Sequence, residues 1–137
     1  MKIVHYSFAF TLLLLFATGC GNNVAVTGKV TFPDGTPLHW GQIVFETPTF
    51  EARGAIQEDG TYALVSGEAR GIPPGNYRVY FDGFEDELVF NPDDPGAPPR
   101  RIPAVIPVAA KYRNPGSSEL TCEIQGRRTF DVTVERP

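Results

Sequence analysis

The sequence predicts an all-β domain, a single sandwich of about seven short strands. Its apolar segments are short and rich in Val, Ile, Phe and Tyr, and turn residues separate them; the 137-residue chain has 14 Gly and 13 Pro. Several segments alternate apolar and polar residues, the period of a half-buried strand. No segment after residue 20 sustains the i, i+3, i+4, i+7 spacing of an amphipathic helix, so little helix is expected.

The first residues predict an export signal. Lys2 precedes an apolar run from Phe8 to Gly19, which is shorter than the ~20 apolar residues that a membrane-spanning helix needs. The run ends in small residues, as a secretory signal does before its cleavage site. Ala17-Thr18-Gly19-Cys20 resembles the lipobox of bacterial lipoproteins, in which the chain is cut before the cysteine and the thiol is acylated. The alternative is a plain cleaved signal in which Cys20 is incidental.

This interpretation divides the chain into a signal peptide at 1–19, the lipidated Cys20 with a short tether at 20–23, and a sandwich domain at 24–137. Without Lys2 the chain has 11 basic and 16 acidic residues, a net charge of −5. An acidic chain argues against nucleic acid as a partner, because nucleic acid requires a basic face. Gly21 is not the aspartate associated with retention of lipoproteins at the inner membrane, so the outer membrane of a bacterial envelope is expected.

Strands follow in chain order from alternation and from the turns between them. Residues 24–32 alternate strictly, and Pro33-Asp34-Gly35-Thr36-Pro37 ends this first strand. The strongest hairpin signal is Glu58-Asp59-Gly60-Thr61, which joins a weaker strand at 53–57 to a return strand at 62–65. The other predicted strands lie at 42–46, 77–81, 120–124 and 130–134.

Residues 82–101 are predicted to form an insertion outside the sandwich. The segment is acidic at first and proline-rich later, and it lacks strand patterning, as functional or mobile loops do. Prolines also interrupt residues 101–107, which are at best an edge segment. Cys122 lies in phase with its apolar neighbours, which predicts a buried, inert thiol; an intermolecular disulfide is the alternative.

Four motifs fall in the order seen in carboxypeptidase regulatory-like domains, which are transthyretin-like β-sandwiches. They are Val26-Thr27-Gly28-Lys29-Val30-Thr31, Asp34-Gly35-Thr36-Pro37-Leu38, Glu58-Asp59-Gly60-Thr61-Tyr62 and Ile72-Pro73-Pro74-Gly75-Asn76-Tyr77-Arg78-Val79. Ala110-Lys111-Tyr112-Arg113-Asn114-Pro115 resembles the closing motif of small bacterial lipoproteins built on that domain. The resemblance covers 24–134 and implies a transthyretin-like or immunoglobulin-like sandwich with no established catalytic activity.

In related surface domains an isopeptide bond joins a lysine of the first strand to an Asn or Asp of the last strand. The candidates here are Lys29 and Asp131. Both alternate out of phase with the apolar residues beside them, so both are expected to face solvent, which argues against a crosslink.

The sequence does not predict an enzyme. His39 is the one histidine after the signal, and with Cys122 it falls short of the three or four ligands of a zinc site. Ser66, Ser117 and Ser118 lie outside any Gly-x-Ser-x-Gly elbow, and the last two are expected in a turn. The acids of 82–94 lack the spacing of an EF-hand loop. We therefore expect no catalytic residue, no cofactor and no metal.

Aromatic residues are the candidate ligand contacts. Trp40 precedes the second strand, and Tyr80 faces away from the predicted core, so both are candidates for stacking on a ligand; the alternative is that Trp40 covers one end of the sandwich. We expect a lipid-anchored, non-enzymatic module of the cell envelope with a structural or adhesive role. The alternative is a carbohydrate- or peptide-binding module of the cell surface. The expected partners are the membrane, through the lipid, and an envelope polysaccharide or surface protein.

Overall fold

Strands make up almost all the regular structure of residues 22–137, the part of the chain that the computed structural model describes. This confirms the predicted all-β class. One turn of 3-10 helix spans Ala110–Tyr112. The described residues form twelve strand segments where about seven were predicted, because several segments are only two or three residues long. They are β1 Val26–Thr31, β2 Gln42–Thr47, β3 Phe50–Ala55, β4 Thr61–Ala63, β5 Val65–Ser66, β6 Ala69–Arg70, β7 Gly75–Asp82, β8 Glu87–Val89, β9 Arg100–Ile102, β10 Thr121–Ile124, β11 Arg128–Thr129 and β12 Val132–Thr133.

Two main sheets enclose one core in a sandwich-like arrangement. The larger sheet is antiparallel, with the order β10-β7-β2-β3-β5-β6. In the smaller sheet β1 pairs in parallel with β11 and β12 and antiparallel with β4. The first strand is therefore closed by the last residues of the chain. The strands β8 and β9 form a separate two-stranded sheet.

Burial alternates along β1 and the first half of β7 as the sequence predicts. Val30 and Val79 are fully buried in the core, whereas Lys29 and Arg78, their neighbours, are exposed. Asp131 is also exposed, and its Oδ1 accepts a hydrogen bond from the backbone N–H of Lys29 at 2.9 Å. The predicted orientation of both crosslink candidates toward solvent is therefore confirmed.

Three strand assignments differ from the sequence prediction. The hairpin predicted at 58–61 is wrong as a strand pairing, because the return strand β4 pairs with β1 of the smaller sheet and not with β3. The third strand begins at Phe50 and not at Arg53, because Pro48 and Thr49 form a tight turn in which Thr47 pairs directly with Phe50. The segment 82–101, predicted to lack strands, contains β8 and the start of β9. Leu88, Val89 and Ile102 supply apolar residues for this pair, although the long link between the strands hides the pattern in the sequence.

Two Asp-Gly-Thr turns have the same internal geometry. In Asp34-Gly35-Thr36 and in Asp59-Gly60-Thr61, the Asp Oδ1 accepts hydrogen bonds from the Thr N–H at 2.9 Å and from the Thr hydroxyl at 2.6 Å. Both glycines have a φ near +84°, a conformation that few other residues adopt. The hydrogen bonds from Thr36 lower the pKa of Asp34 to about 2. The predicted turns are thus rigid, self-capped units.

Candidate binding surface

Exposed apolar side chains concentrate in the segment that β8 and β9 build. Within residues 22–137, five of the six exposed large apolar side chains lie between residues 88 and 105. Large exposed apolar patches mark interaction sites, because a soluble domain otherwise keeps such surface small. They are Leu88 (56% exposed), Val89 (39%), Phe90 (67%), Ile102 (42%) and Val105 (85%).

The strands β8 and β9, with the residues between them, form a hairpin that we call the 87–102 hairpin. Leu88 lies opposite Arg101 in its ladder, and Val89 lies opposite Arg100. Because neighbours along a strand point to opposite faces, Leu88 and Arg101 share one face and Val89 and Arg100 the other. Both faces carry exposed apolar side chains, so the hairpin presents two faces to solvent.

Asp86 holds the base of the hairpin together. Its carboxylate pairs with the guanidinium of Arg101, and its Oδ1 accepts a hydrogen bond from the backbone N–H of Ala104 at 3.0 Å. The bond from Ala104, with a smaller effect of Arg101, lowers the pKa of Asp86. The carboxylate and the guanidinium neutralise each other, so the exposed apolar group of that face, Leu88, lies beside a paired charge.

Residues 83–107 connect β7 to the rest of the sandwich and carry the 87–102 hairpin; we call them the hairpin segment. Trp40 lies at the point where this segment leaves the sandwich. Its indole is half-buried and meets the ring of Phe84 edge to face, with the ring centroids 5.0 Å apart. Phe84 follows the end of β7 by two residues. Trp40 therefore packs between the end of the sandwich and the base of the hairpin, and part of its surface remains open.

Tyr80 requires a correction. It lies on the face of the larger sheet opposite to the core, as predicted, but it is only 8% exposed and does not offer an open aromatic face. Its hydroxyl donates a hydrogen bond to Oε2 of Glu51 at 3.3 Å. The parity of the strand shows which face a side chain takes, but it does not show which long side chains from neighbouring strands cover it. Trp40 and Tyr80 consequently do not form a shared exposed aromatic cluster.

A polar network covers this part of the outer face. The Arg53 guanidinium on β3 donates to Glu51 Oε1 at 2.8 Å and to Asp82 Oδ2 on β7 at 2.7 Å. The Arg53 side chain thus reaches across β2, the strand between β3 and β7. On β2, Val44 pairs with both Arg53 and Tyr80, and it is fully buried although it does not belong to the core cluster.

The network perturbs the groups that form it. The hydrogen bond between Arg53 and Asp82 lowers the pKa of the Asp82 carboxyl group and raises the pKa of the Arg53 guanidinium. Burial, helped by the negative charge of Glu51, raises the pKa of Tyr80 to about 12. Tyr80 is accordingly a neutral structural hydroxyl between pH 5 and 9.

An open groove of about 670 Å³ lies along the ends of β2, β7 and β10. Charged and amide side chains line it, among them Glu46, Asn76, Arg78 and Glu123. The guanidinium of Arg78 is held by the backbone carbonyl of Pro115 at 3.1 Å. A groove with both signs of charge beside apolar groups of Pro48 and Tyr77 suits a peptide, which offers both kinds of contact.

The groups considered for catalysis do not converge. His39 is exposed, with Nδ1 3.4 Å from the backbone carbonyl of Pro37. The hydroxyl of Ser118 is buried and donates to the carbonyl of Val79, while Ser117 donates to the carbonyl of Lys111 at 2.9 Å. Between residues 22 and 137, no group of three or more His, Cys, Asp and Glu side chains could hold a metal ion.

Cys122 has the predicted buried position. It is 3% exposed and belongs to the core cluster, and it is a free thiol. Burial raises the pKa of the thiol, which outweighs the opposite effect of Arg128. A thiol that is buried and protonated is a poor nucleophile.

The predicted lipidation site, Cys20, and the signal peptide lie outside the described residues. No helix in the described part of the chain is long and apolar enough to cross a membrane.

No protein-family model matches this chain, and no curated protein matches it significantly. Among solved structures, it is similar to a DUF3823 family protein from Bacteroides ovatus, at 18% identity and a TM-score of 0.46. A 9R-lipoxygenase from Cyanothece is similar at 16% identity and a TM-score of 0.36. The alignments cover 82% and 85% of this chain, but only 44% and 17% of those proteins. The chain thus spans less than half the length of either.

Proposed function

We propose that this chain is a lipid-anchored, non-enzymatic adhesive module of the bacterial cell envelope, of the kind that carboxypeptidase regulatory-like lipoproteins represent. The observation that carries the proposal is the 87–102 hairpin, which exposes Leu88 and Phe90 by 56% and 67%. The remaining apolar side chains of the described residues are mostly buried in one core. Surface of this kind persists where a partner covers it.

The anchor rests on the sequence. Ala17-Thr18-Gly19-Cys20 has the small residues and the cysteine of a lipobox, and Val24 is already paired with Ile72 in the fold. Few residues separate the thiol from the folded domain, so an acylated Cys20 would hold the sandwich within about 10–15 Å of the bilayer.

Detergent partitioning of the full chain tests the anchor. Cys20→Ala should move the protein from the detergent phase to the aqueous phase. Mass spectrometry of the wild type should find acyl mass on an N-terminal peptide that begins at residue 20. A mature N-terminus elsewhere without lipid would contradict the anchor.

Co-sedimentation tests adhesion. Envelope vesicles that carry the full chain should sediment with cells that lack the protein, and Phe90→Ser should abolish much of that binding. Val65→Ser is the matched control, because Val65 is also an exposed apolar strand residue, at 45%, but lies on β5 of the larger sheet. Equal binding by the two variants would contradict a role for the hairpin.

The groove at Arg78 favours a second candidate, a module that binds peptides or carbohydrates of the cell surface. Trp40, partly open at the other end of the sheet, is a further candidate contact for a sugar ring. Calorimetric titration with envelope peptides and glycan fragments tests this candidate. Arg78→Ala should remove groove binding while Glu58→Ala, a change on an exposed turn, should retain it. Absence of heat with every ligand would exclude it.

A further inference from the structure

We propose that the Leu88–Phe90 face of the 87–102 hairpin docks on an apolar patch with a basic rim on a separate envelope protein, at the pole of the domain that points away from its own membrane anchor. This inference rests on the proposed function and names its partner by chemistry. Three observations carry it: the position of the hairpin, the composition of the face and the charge around it.

The hairpin segment leaves the sandwich at the end opposite to the chain start. Val24 bonds to Ile72 through both backbone groups at 2.8 and 3.0 Å, and β7 begins at Gly75 just beyond that bridge. The hairpin segment follows Asp82, the last residue of β7. Eight residues of strand span about 23 Å at about 3.3 Å per residue. We call the two ends the N-terminal pole and the hairpin pole.

The segment also returns at the hairpin pole. Ala109, just after the segment, donates to the carbonyl of Glu135 at 2.9 Å, and Val134 donates to the carbonyl of Thr31 at 2.9 Å. Thr31 is the last residue of β1, which starts at the N-terminal pole near Val24. Both connections of the hairpin segment therefore emerge on the side away from residue 24.

One face of the hairpin is apolar with its charge internally neutralised. The ladder places Leu88 on the face that also carries Arg101, and the same alternation extended one residue beyond β8 gives Phe90 that face. Arg101 is already paired with Asp86, so the face offers apolar contact without an unpaired charge. An apolar centre of this kind is what a partner desolvates on binding.

The segment that carries that face is acidic. Residues 83–107 contain five acidic residues and two arginines, a net charge of −3. A basic rim on the partner complements that charge and accelerates association. A second copy of the chain would bring the same negative charge, and an anionic lipid surface would also repel it. Charge complementarity therefore favours a different protein with Lys or Arg around its apolar patch.

Site-specific photo-crosslinking in intact cells tests the proposal with the full chain. Phe90 is replaced by p-benzoylphenylalanine, and the control carries the same group in place of Glu68, an exposed residue between β5 and β6. We expect an adduct with another protein from position 90 and none of that mass from position 68. Mass spectrometry should locate the adduct on a partner peptide with Lys or Arg around the modified residue.

Charge reversal provides a second measurement on the same adduct. Asp93→Lys should lower the adduct yield several-fold, and raising the salt concentration should weaken the wild-type adduct. Glu68→Lys makes the same change in net charge away from the hairpin and should leave the yield unchanged. If both reversals act equally, the effect is global and the docking surface is wrong.

The remaining outcomes oppose the proposal. An adduct only with a second copy, only with lipid, or with a partner peptide that lacks basic residues overturns it. The absence of any adduct from position 90 also overturns it, provided that the photoreactive group at Val105, which is 85% exposed, gives none either. Detergent partitioning of the same cells reports the anchor independently, so loss of docking and loss of the anchored module are distinguishable.

Discussion

Gly28 is the position where a single added methyl group should damage the fold most clearly. It lies in the middle of β1, opposite Tyr62 of β4. A Cβ atom on Gly28 would lie 2.0 Å from the backbone oxygen of Phe130 and 2.8 Å from the Tyr62 ring. That same oxygen accepts the Tyr62 hydroxyl hydrogen at 2.6 Å. Gly28→Ala therefore forces apart the first strand and the segment that closes the sheet.

The expected loss of unfolding free energy for Gly28→Ala is about 3 kcal/mol. Overpacking costs about 1–3 kcal/mol, and the upper end applies because the atom in the way belongs to the backbone. Phe130 is itself fixed by the bond from its N–H to the carbonyl of Thr27 at 2.8 Å. Loss of the Tyr62 hydrogen bond adds about 1 kcal/mol. Ala also lowers the conformational entropy of the unfolded chain, which offsets about 0.4–1 kcal/mol of the loss.

Urea unfolding followed by circular dichroism measures the difference. Gly126→Ala is the matched control, since no atom lies within 4 Å of the added Cβ there. We expect the control to remain within about 0.5 kcal/mol of the wild type. If Gly28→Ala unfolds at the same urea concentration as Gly126→Ala, the Phe130 backbone does not pack against β1, and the closure of the sandwich by its C-terminal residues is wrong.

Three further predictions address the register, the turns and the outer face. Val79→Ala should lower the unfolding free energy by about 1–3 kcal/mol and Arg78→Ala by less than about 0.5; the reverse order would place the register of β7 one residue off. The pKa of Asp34 is lowered to about 2, so its stabilising effect is complete above about pH 4 and is lost as the pH falls toward 2. Asp34→Asn should flatten the acid limb of the stability profile over that range, and an unchanged limb would contradict the role of the turn. The pKa of Tyr80 is raised to about 12, so its contribution is complete below about pH 10 and is lost between 10 and 12. Tyr80→Phe should flatten the alkaline limb, and an equally steep limb would mean that this hydroxyl is not buried.

The sequence was sufficient for the strands that line the core. Val26 to Val30 and Tyr77 to Val79 alternate with a period of two, and burial in the structure follows the same residues. Alternation succeeds there because one side of each strand faces the common core, so the pattern records a physical difference between two environments. The alternation of burial stops at Tyr80, because that side chain is covered on the outer face of the sheet. The Asp-Gly-Thr turns were also predictable, because their hydrogen bonds form within three consecutive residues.

The candidate site was predictable only in part. The 87–102 hairpin has solvent on both faces, so no alternation between apolar and polar residues is required of it, and the ten residues 90–99 separate its paired strands. An apolar run such as Leu88-Val89-Phe90 between acids and prolines was the signal that could have indicated it. The prediction that Tyr80 is exposed failed for a different reason. The side chains that cover it, Arg53 and Glu51, lie on β3, which does not adjoin β7, and contacts of this kind leave no local pattern in the sequence.

The 87–102 hairpin adds a surface to the domain without taking part in its core. The chain leaves the sandwich at Asp82, which is tied to Arg53, and enters the core again at Val108, which is 1% exposed. Both attachment points are thus fixed by contacts that do not involve Leu88 or Phe90. Changes in the length or sequence of the hairpin consequently alter what the domain can contact while its folding energy stays nearly constant, because loop closure depends only weakly on length. That separation allows apolar groups to be kept exposed at the hairpin pole, and it explains why the surface that we propose for binding is also the least sandwich-like part of the chain.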